Sequence, residues 1–146
     1  MFSLLKNTKI SIGALKYNAD NETLSGAPVD MTGFDSVAFI AFANSGEAFA
    51  TQAIKGQMDD DTGFTDASTL ASTAVTFSTT TAASGHGLTT LEIHHPTKRY
   101  VRPVQTVPNF STARAVGCIA IQFNAKDLPY SANAGELHIS PAAGAA

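Results

Sequence analysis

The stretch Lys98-Arg99-Tyr100-Val101-Arg102-Pro103-Val104-Gln105-Thr106-Val107 carries the side-chain period of a β-strand, and it constrains the fold more than any other part of the chain. Extended backbone sends alternate side chains to opposite faces. Tyr100, Arg102, Val104 and Thr106 therefore share one face, and Arg99, Val101, Pro103, Gln105 and Val107 share the other. Three of the chain's nine Lys and Arg residues stand here beside an aromatic. In isolation that pattern would suit a strand that touches nucleic acid.

Strand-like runs recur on both sides of it. Lys9 to Tyr17 is predicted as a first strand, with Ile10, Ile12 and Ala14 alternating against Lys9, Ser11 and Gly13. Asn18 to Pro28 holds Asn, Asp, Gly and Pro and is predicted as a loop. Phe34 to Ala43 is a near-continuous apolar run, the pattern of a strand covered on both faces. Asn44-Ser45-Gly46-Glu47 then supplies a turn, from which Ala48 to Met58 is expected to return as a hairpin partner. Val75 to Ser78, Leu88 to His94 and Ala113 to Phe123 complete the set. No amphipathic helix is legible, although Asp66 to Ala74 offers a short turn.

So many strands in 146 residues predict an all-β fold: a single-domain antiparallel β-sandwich or jelly roll with an extended N-terminal segment. Residues 1–16 are expected to form an N-terminal arm or the first strand, 17–139 the sandwich, and 140–146 a flexible tail.

Composition narrows the function. Apolar residues at 44% support a packed core, whereas charged residues reach only 14%, against roughly 25% in an ordinary domain. A surface built from Ser, Thr, Ala, Gly and Asn is desolvated at less cost than a charged one, which favours an assembly component. A net charge of -3 supplies no basic field for nucleic acid. The apolar run Val37 to Phe42 is far too short for a membrane span, and Met1 to Lys6 lacks the pattern of a signal peptide. Cys118 is the only cysteine, so no intrachain disulfide forms. Its setting, Ala115-Val116-Gly117-Cys118-Ile119-Ala120-Ile121, predicts a small buried hydrophobe.

Sites for chemistry are sparse. In Asp59-Asp60-Asp61-Thr62-Gly63-Phe64-Thr65-Asp66, the alternation of Asp59, Asp61 and Gly63 faintly suggests a calcium loop, but position 70 is Leu where that loop needs Glu. A solvated turn is the favoured reading, with Phe64 tucked onto the sheet. His94 and His95 are adjacent, so on a strand they point apart and do not share a metal. No nucleophile elbow, phosphate loop, dinucleotide-binding glycine pattern or His-Glu-x-x-His motif occurs, and no catalytic residue, cofactor or metal site is expected.

The order of three motifs does carry a resemblance. Val29-Asp30-Met31-Thr32-Gly33-Phe34-Asp35-Ser36-Val37 leads into a hydrophobic strand, the acidic Asp-Asp-x-Gly-Phe-Thr-Asp stretch follows, and then Lys98-Arg99-Tyr100-Val101-Arg102-Pro103. From Val29 to Phe123 this resembles the small β-sandwich virion proteins of tailed bacteriophages, especially capsid decoration (cement) proteins. The resemblance implies a non-enzymatic structural protein, made in the host cytoplasm, that sits on the phage head surface. Its partners would be the major capsid protein and further copies of itself, as a dimer or trimer.

Candidate contacts are Phe2, Leu4 and Leu5 in the arm and Arg99, Tyr100 and Arg102 in the basic strand. The basic group has three readings: long stems covering the sheet and pairing with acids such as Asp59 to Asp61, a patch against a capsid subunit, or a nucleic-acid contact. Two alternative functions are a neck or tail adaptor and a carbohydrate-binding adhesion module, the latter left with Tyr17, Tyr100 and Tyr130 as platforms and no Trp.

Overall fold

The computed structural model describes residues 4–44, 51–70, 73–78, 86–108 and 114–126. One helical turn, α1 (Leu4–Asn7), precedes the strands β1 (Lys9–Ala19), β2 (Glu22–Ser25), β3 (Val29–Asp30), β4 (Phe34–Asn44) and β5 (Thr51–Asp59). The short β6 (Ser68–Thr69) and β7 (Val75–Ser78) follow, then β8 (His86–His94), β9 (Tyr100–Val107) and β10 (Arg114–Ala125).

The strands form two antiparallel sheets. One is four-stranded, in the order β1-β10-β4-β8. The other runs β2-β9-β5-β6, with β3 also on β9 and β7 also on β5. Alternation builds the core between them. Val37, Phe39 and Ala41 of β4, Val116, Cys118 and Ala120 of β10, and Leu91 and Ile93 of β8 point inward. Ile54 of β5 and Val101 and Val107 of β9 meet them from the other sheet. The chain is an antiparallel β-sandwich, as its strand pattern predicts.

A close approach ties the two sheets at one edge. Gly26 donates its N–H to the Pro103 carbonyl at 2.7 Å, and Ala27 donates to the Gly13 carbonyl at 2.6 Å. A Cβ on Gly26 would stand 2.5 Å from the Gly13 oxygen and 2.6 Å from Pro103 Cγ, so only glycine fits between β1 and β9.

Three local expectations are corrected. The clearest hairpin of the sequence does not form: β4 lies between β10 and β8, and β5 lies between β9 and its short partners in the other sheet. Turn chemistry marks a reversal but not the strand it leads to. The two strands differ in the faces they turn away from the core, apolar in β4 (Ala38, Ile40, Phe42) and polar in β5 (Lys55, Gln57).

The predicted loop Asn18 to Pro28 contains β2, paired with β9 from Glu22↔Val107 to Ser25↔Val104, because an edge position tolerates the polar residues that read as loop. Finally, a bulge between Ile12 and Ala14 breaks the alternation of β1. Ile10 and Ile12 stay outside while Ala14 turns inward against Cys118.

β1 also runs across residue 16, the expected end of the arm. Phe2 and the 140–146 tail lie outside the described residues, as does the side chain of Leu5.

Candidate docking face

The outer surface of the four-stranded sheet is the most unusual feature of the molecule. Paired residues place its side chains in rows across the strands. One row holds Ile10, Ile121, Ala38 and Glu92; the next holds Ile12, Ile119, Ile40 and Thr90. Beyond these comes Leu15, Gly117, Phe42 and Leu88, and at the opposite end stand Phe123, Ser36 and His94.

Ile12 is 66% exposed, Leu15 49%, Tyr17 70% and Leu88 69%. Ile10 and Ile119 are also exposed. Among the described residues, every large hydrophobic side chain classed as exposed lies on this sheet or, in the case of Leu4, beside it. Water in contact with so continuous an apolar surface is costly, and such patches mark association sites.

The face has a shape. At the Phe123 end a pocket of about 300 Å³ opens between α1 and β10, lined chiefly by Leu4, Thr8, Ile121, Phe123 and Ala125. Thr8 fixes the turn above it by donating both its N–H and its hydroxyl to the Leu4 carbonyl. At the β8 edge, Ser36 Oγ lies 2.9 Å from His94 Nδ1, His94 Nε2 lies 3.0 Å from Glu92, and the His94 ring meets Phe123 edge-on at 5.8 Å. The polar groups of this edge thus bond to one another.

The outer surface of the second sheet carries Lys55, Gln57, Arg102 and Thr106, and the basic residues in and just before β9 are engaged within the chain. Arg99 grips Asp30 with Nε and Nη2, at 3.2 and 2.8 Å, and its guanidinium lies 5.0 Å from the Tyr100 ring centre. The Arg99 hydrogen bond holds the Asp30 carboxyl well below the usual carboxylate range. Arg102 donates twice to Gln57 Oε1, at 3.0 and 2.8 Å, and lies 4.3 Å from the Phe64 ring centre. Lys98 pairs with Asp60. Of these three side chains, Arg99 pairs with an acid outside the acidic loop, Arg102 with an amide, and only Lys98 with a carboxylate of the loop itself.

The acidic loop is organised by its own backbone. Asp59 accepts the N–H groups of Asp60, Asp61 and Asp66, and Asp61 accepts that of Gly63. Phe64, held at a φ of 51°, is buried beneath Arg102. No group of three metal-ligating side chains occurs among the described residues. Cys118 is buried, and burial pushes its thiol up to about 12, so it is inert as a nucleophile. Among the described residues no helix is long and apolar enough to cross a membrane.

Of the contacts expected from the sequence, Leu4 borders the docking face, while Tyr100 and Arg102 lie on the other sheet and Arg99 in the bend just before β9. As contacts, Ile10, Ile12, Leu15, Leu88 and Ile119 are not singled out by motif reasoning, and Tyr17 enters only as a platform in the carbohydrate-binding alternative. Their signal was the apolar run of β4, which reads as a strand covered on both faces, whereas Ile40 and Phe42 are only partly buried.

No protein-family model and no curated protein matches the chain. The crystal structure of the PBSX exported protein XepA superimposes on it with a TM-score of 0.53 and 20% sequence identity, over 92% of this chain and 44% of XepA. The chain therefore spans less than half the length of that protein, and the likeness is one of fold.

Proposed function

We propose that the chain is a structural, non-enzymatic component of a bacteriophage particle, and specifically a capsid decoration protein that binds the outside of the head. The observation that carries this reading is the apolar outer face of the four-stranded sheet, a surface suited to burial in an assembly. The fold-level likeness to a phage exported protein supports the same setting. So does a chain with only 14% charged residues, whose surface is cheap to desolvate.

In this role each copy would bridge neighbouring major capsid subunits. Individually modest contacts then act together, because a copy anchored at one point meets its next site at high effective concentration. Stability of the head against heat or osmotic shock is the expected consequence.

The experiment is reconstitution. Purified protein is mixed with heads assembled without it, and bound protein is sedimented and counted. Saturable binding at many copies per head, with delayed thermal rupture, is the expected result. Attachment at a single ring of the particle would instead indicate a neck or tail adaptor, and no binding would remove the decoration role.

A further inference from the structure

We propose that the apolar face of the four-stranded sheet packs against the same face of a second copy, about a two-fold axis that lies between the faces and runs across the strands. This rests on reading the face as an association surface and specifies what covers it.

Three observations select that partner and that axis. The first is shape. Leu15, Tyr17 and Leu88 project from one end of the face, and the pocket lined by Leu4, Ile121 and Phe123 recedes at the other. An axis across the strands reverses the face end for end, so the projecting end of each copy meets the recessed end of the other, twice and identically.

The second is charge. The only carboxylate in the rows is Glu92 at the β8 edge. With this axis β8 lies over its counterpart, and Glu92 meets the row that holds Thr90, leaving it at the rim and away from its own equivalent. An axis along the strands would instead lay Glu92 over Ile10 and bury its charge on hydrocarbon, at a high desolvation cost.

The third is area. Strands about 4.8 Å apart and rows about 7 Å apart give on the order of 500 Å² per copy, or about 1,000 Å² in all. That lies at the lower bound for a specific interface. An interface of this modest size suits a reversible dimer that gains permanence only when both copies are held on a particle.

Sedimentation equilibrium of the full chain over a concentration series tests this directly. A monomer–dimer equilibrium is expected, weakened at least tenfold by Leu88→Glu and, separately, by Ile12→Glu, with circular dichroism and thermal melting unchanged. Lys55→Glu, on the outer face of the other sheet, should leave association as it is. A chain monomeric at every concentration, a closed trimer, or a dimer indifferent to both face substitutions overturns the proposal. Binding to heads, measured in parallel, separates the two readings. A monomer whose attachment is abolished by Leu88→Glu would sink the dimer and keep the association surface, whereas loss of neither property would remove both.

Discussion

Phe42 lies across Gly117: a Cβ at position 117 would stand 2.5 Å from the ring Cζ and 2.8 Å from Cε2. The two residues are partners in register on adjacent central strands, and Leu15 flanks Gly117 from the far side. The ring thus uses the space left by the missing side chain to lie flat on the sheet. Gly117→Val is expected to lift it and to cost about 1–3 kcal/mol through overpacking, read as a lower urea midpoint with an unchanged slope. An unaltered midpoint would mean that the ring has another resting place.

Arg102 is expected to act on stability. Its guanidinium donates twice to Gln57 and covers the buried Phe64 ring, which the acidic loop presents in a left-handed conformation. Arg102→Ala should lower stability by about 1–2 kcal/mol, and Arg102→Lys should recover only part, because an ammonium lacks the planar fork. Chemical denaturation of both variants checks this. Equal stability of Lys and Arg would assign the effect to charge alone.

Asp30 makes the fold acid-sensitive in a defined direction. Its carboxyl is held below the usual range first by the Arg99 hydrogen bond, with further bonds from the Thr32 N–H and hydroxyl, while partial burial opposes them. A carboxyl depressed in the folded state contributes stability that is fully present above its unfolded value of about 3.9 and is lost as pH falls below it. Asp30→Asn should therefore destabilise the protein at neutral pH, with the gap to the parent closing below about pH 4. Melting temperatures across pH 2–7 would show parallel curves if the carboxylate contributed nothing.

How much of this was legible in the sequence depends on how local each cause is. β4, β9 and β10 could be placed from alternation and apolar runs, because a pleated strand leaves its period in the residues themselves. Pairing could not: nothing in Asn44-Ser45-Gly46-Glu47 indicates that β4 and β5 part into different sheets. The bulge after Ile12 was equally hidden: Gly13 lies close to Pro103, on a strand far along the chain, and no local pattern announces that approach. The docking face was half visible. Phe34 to Ala43 announced two apolar sides, but only the assembled sheet shows that one of them continues through Ile12, Ile119 and Leu88 into solvent.

Two buried glutamines offer a gain in stability. The side chains of Gln52 and Gln105 are each 1% exposed, and their amide atoms have no hydrogen-bond partner among the described residues. Both belong to core-facing positions of β5 and β9, beside Ile54. A buried amide without partners forfeits its hydration, so Gln105→Met should raise stability by about 1 kcal/mol at nearly constant volume. A lower melting temperature in the Met variant would show that the amide is bonded after all.

The N-terminal turn borders the apolar face through Leu4. Leu4 is 49% exposed and forms one wall of the pocket beside Ile121 and Phe123, and the turn that presents it is closed by Thr8. Removing Met1 to Leu5 takes away this wall and leaves β1, whose pairing with β10 begins at Lys9, intact. The shortened chain should therefore fold with an almost unchanged melting temperature yet self-associate more weakly, and through the lost dimer bind heads more weakly, because the recessed end of the apolar face is lost as the socket for the second copy. Leu4→Asp, which keeps the chain length and places a charge in the same wall, should weaken binding in the same way. Undiminished binding by both would take the segment out of the docking surface and leave attachment to the sheet rows alone.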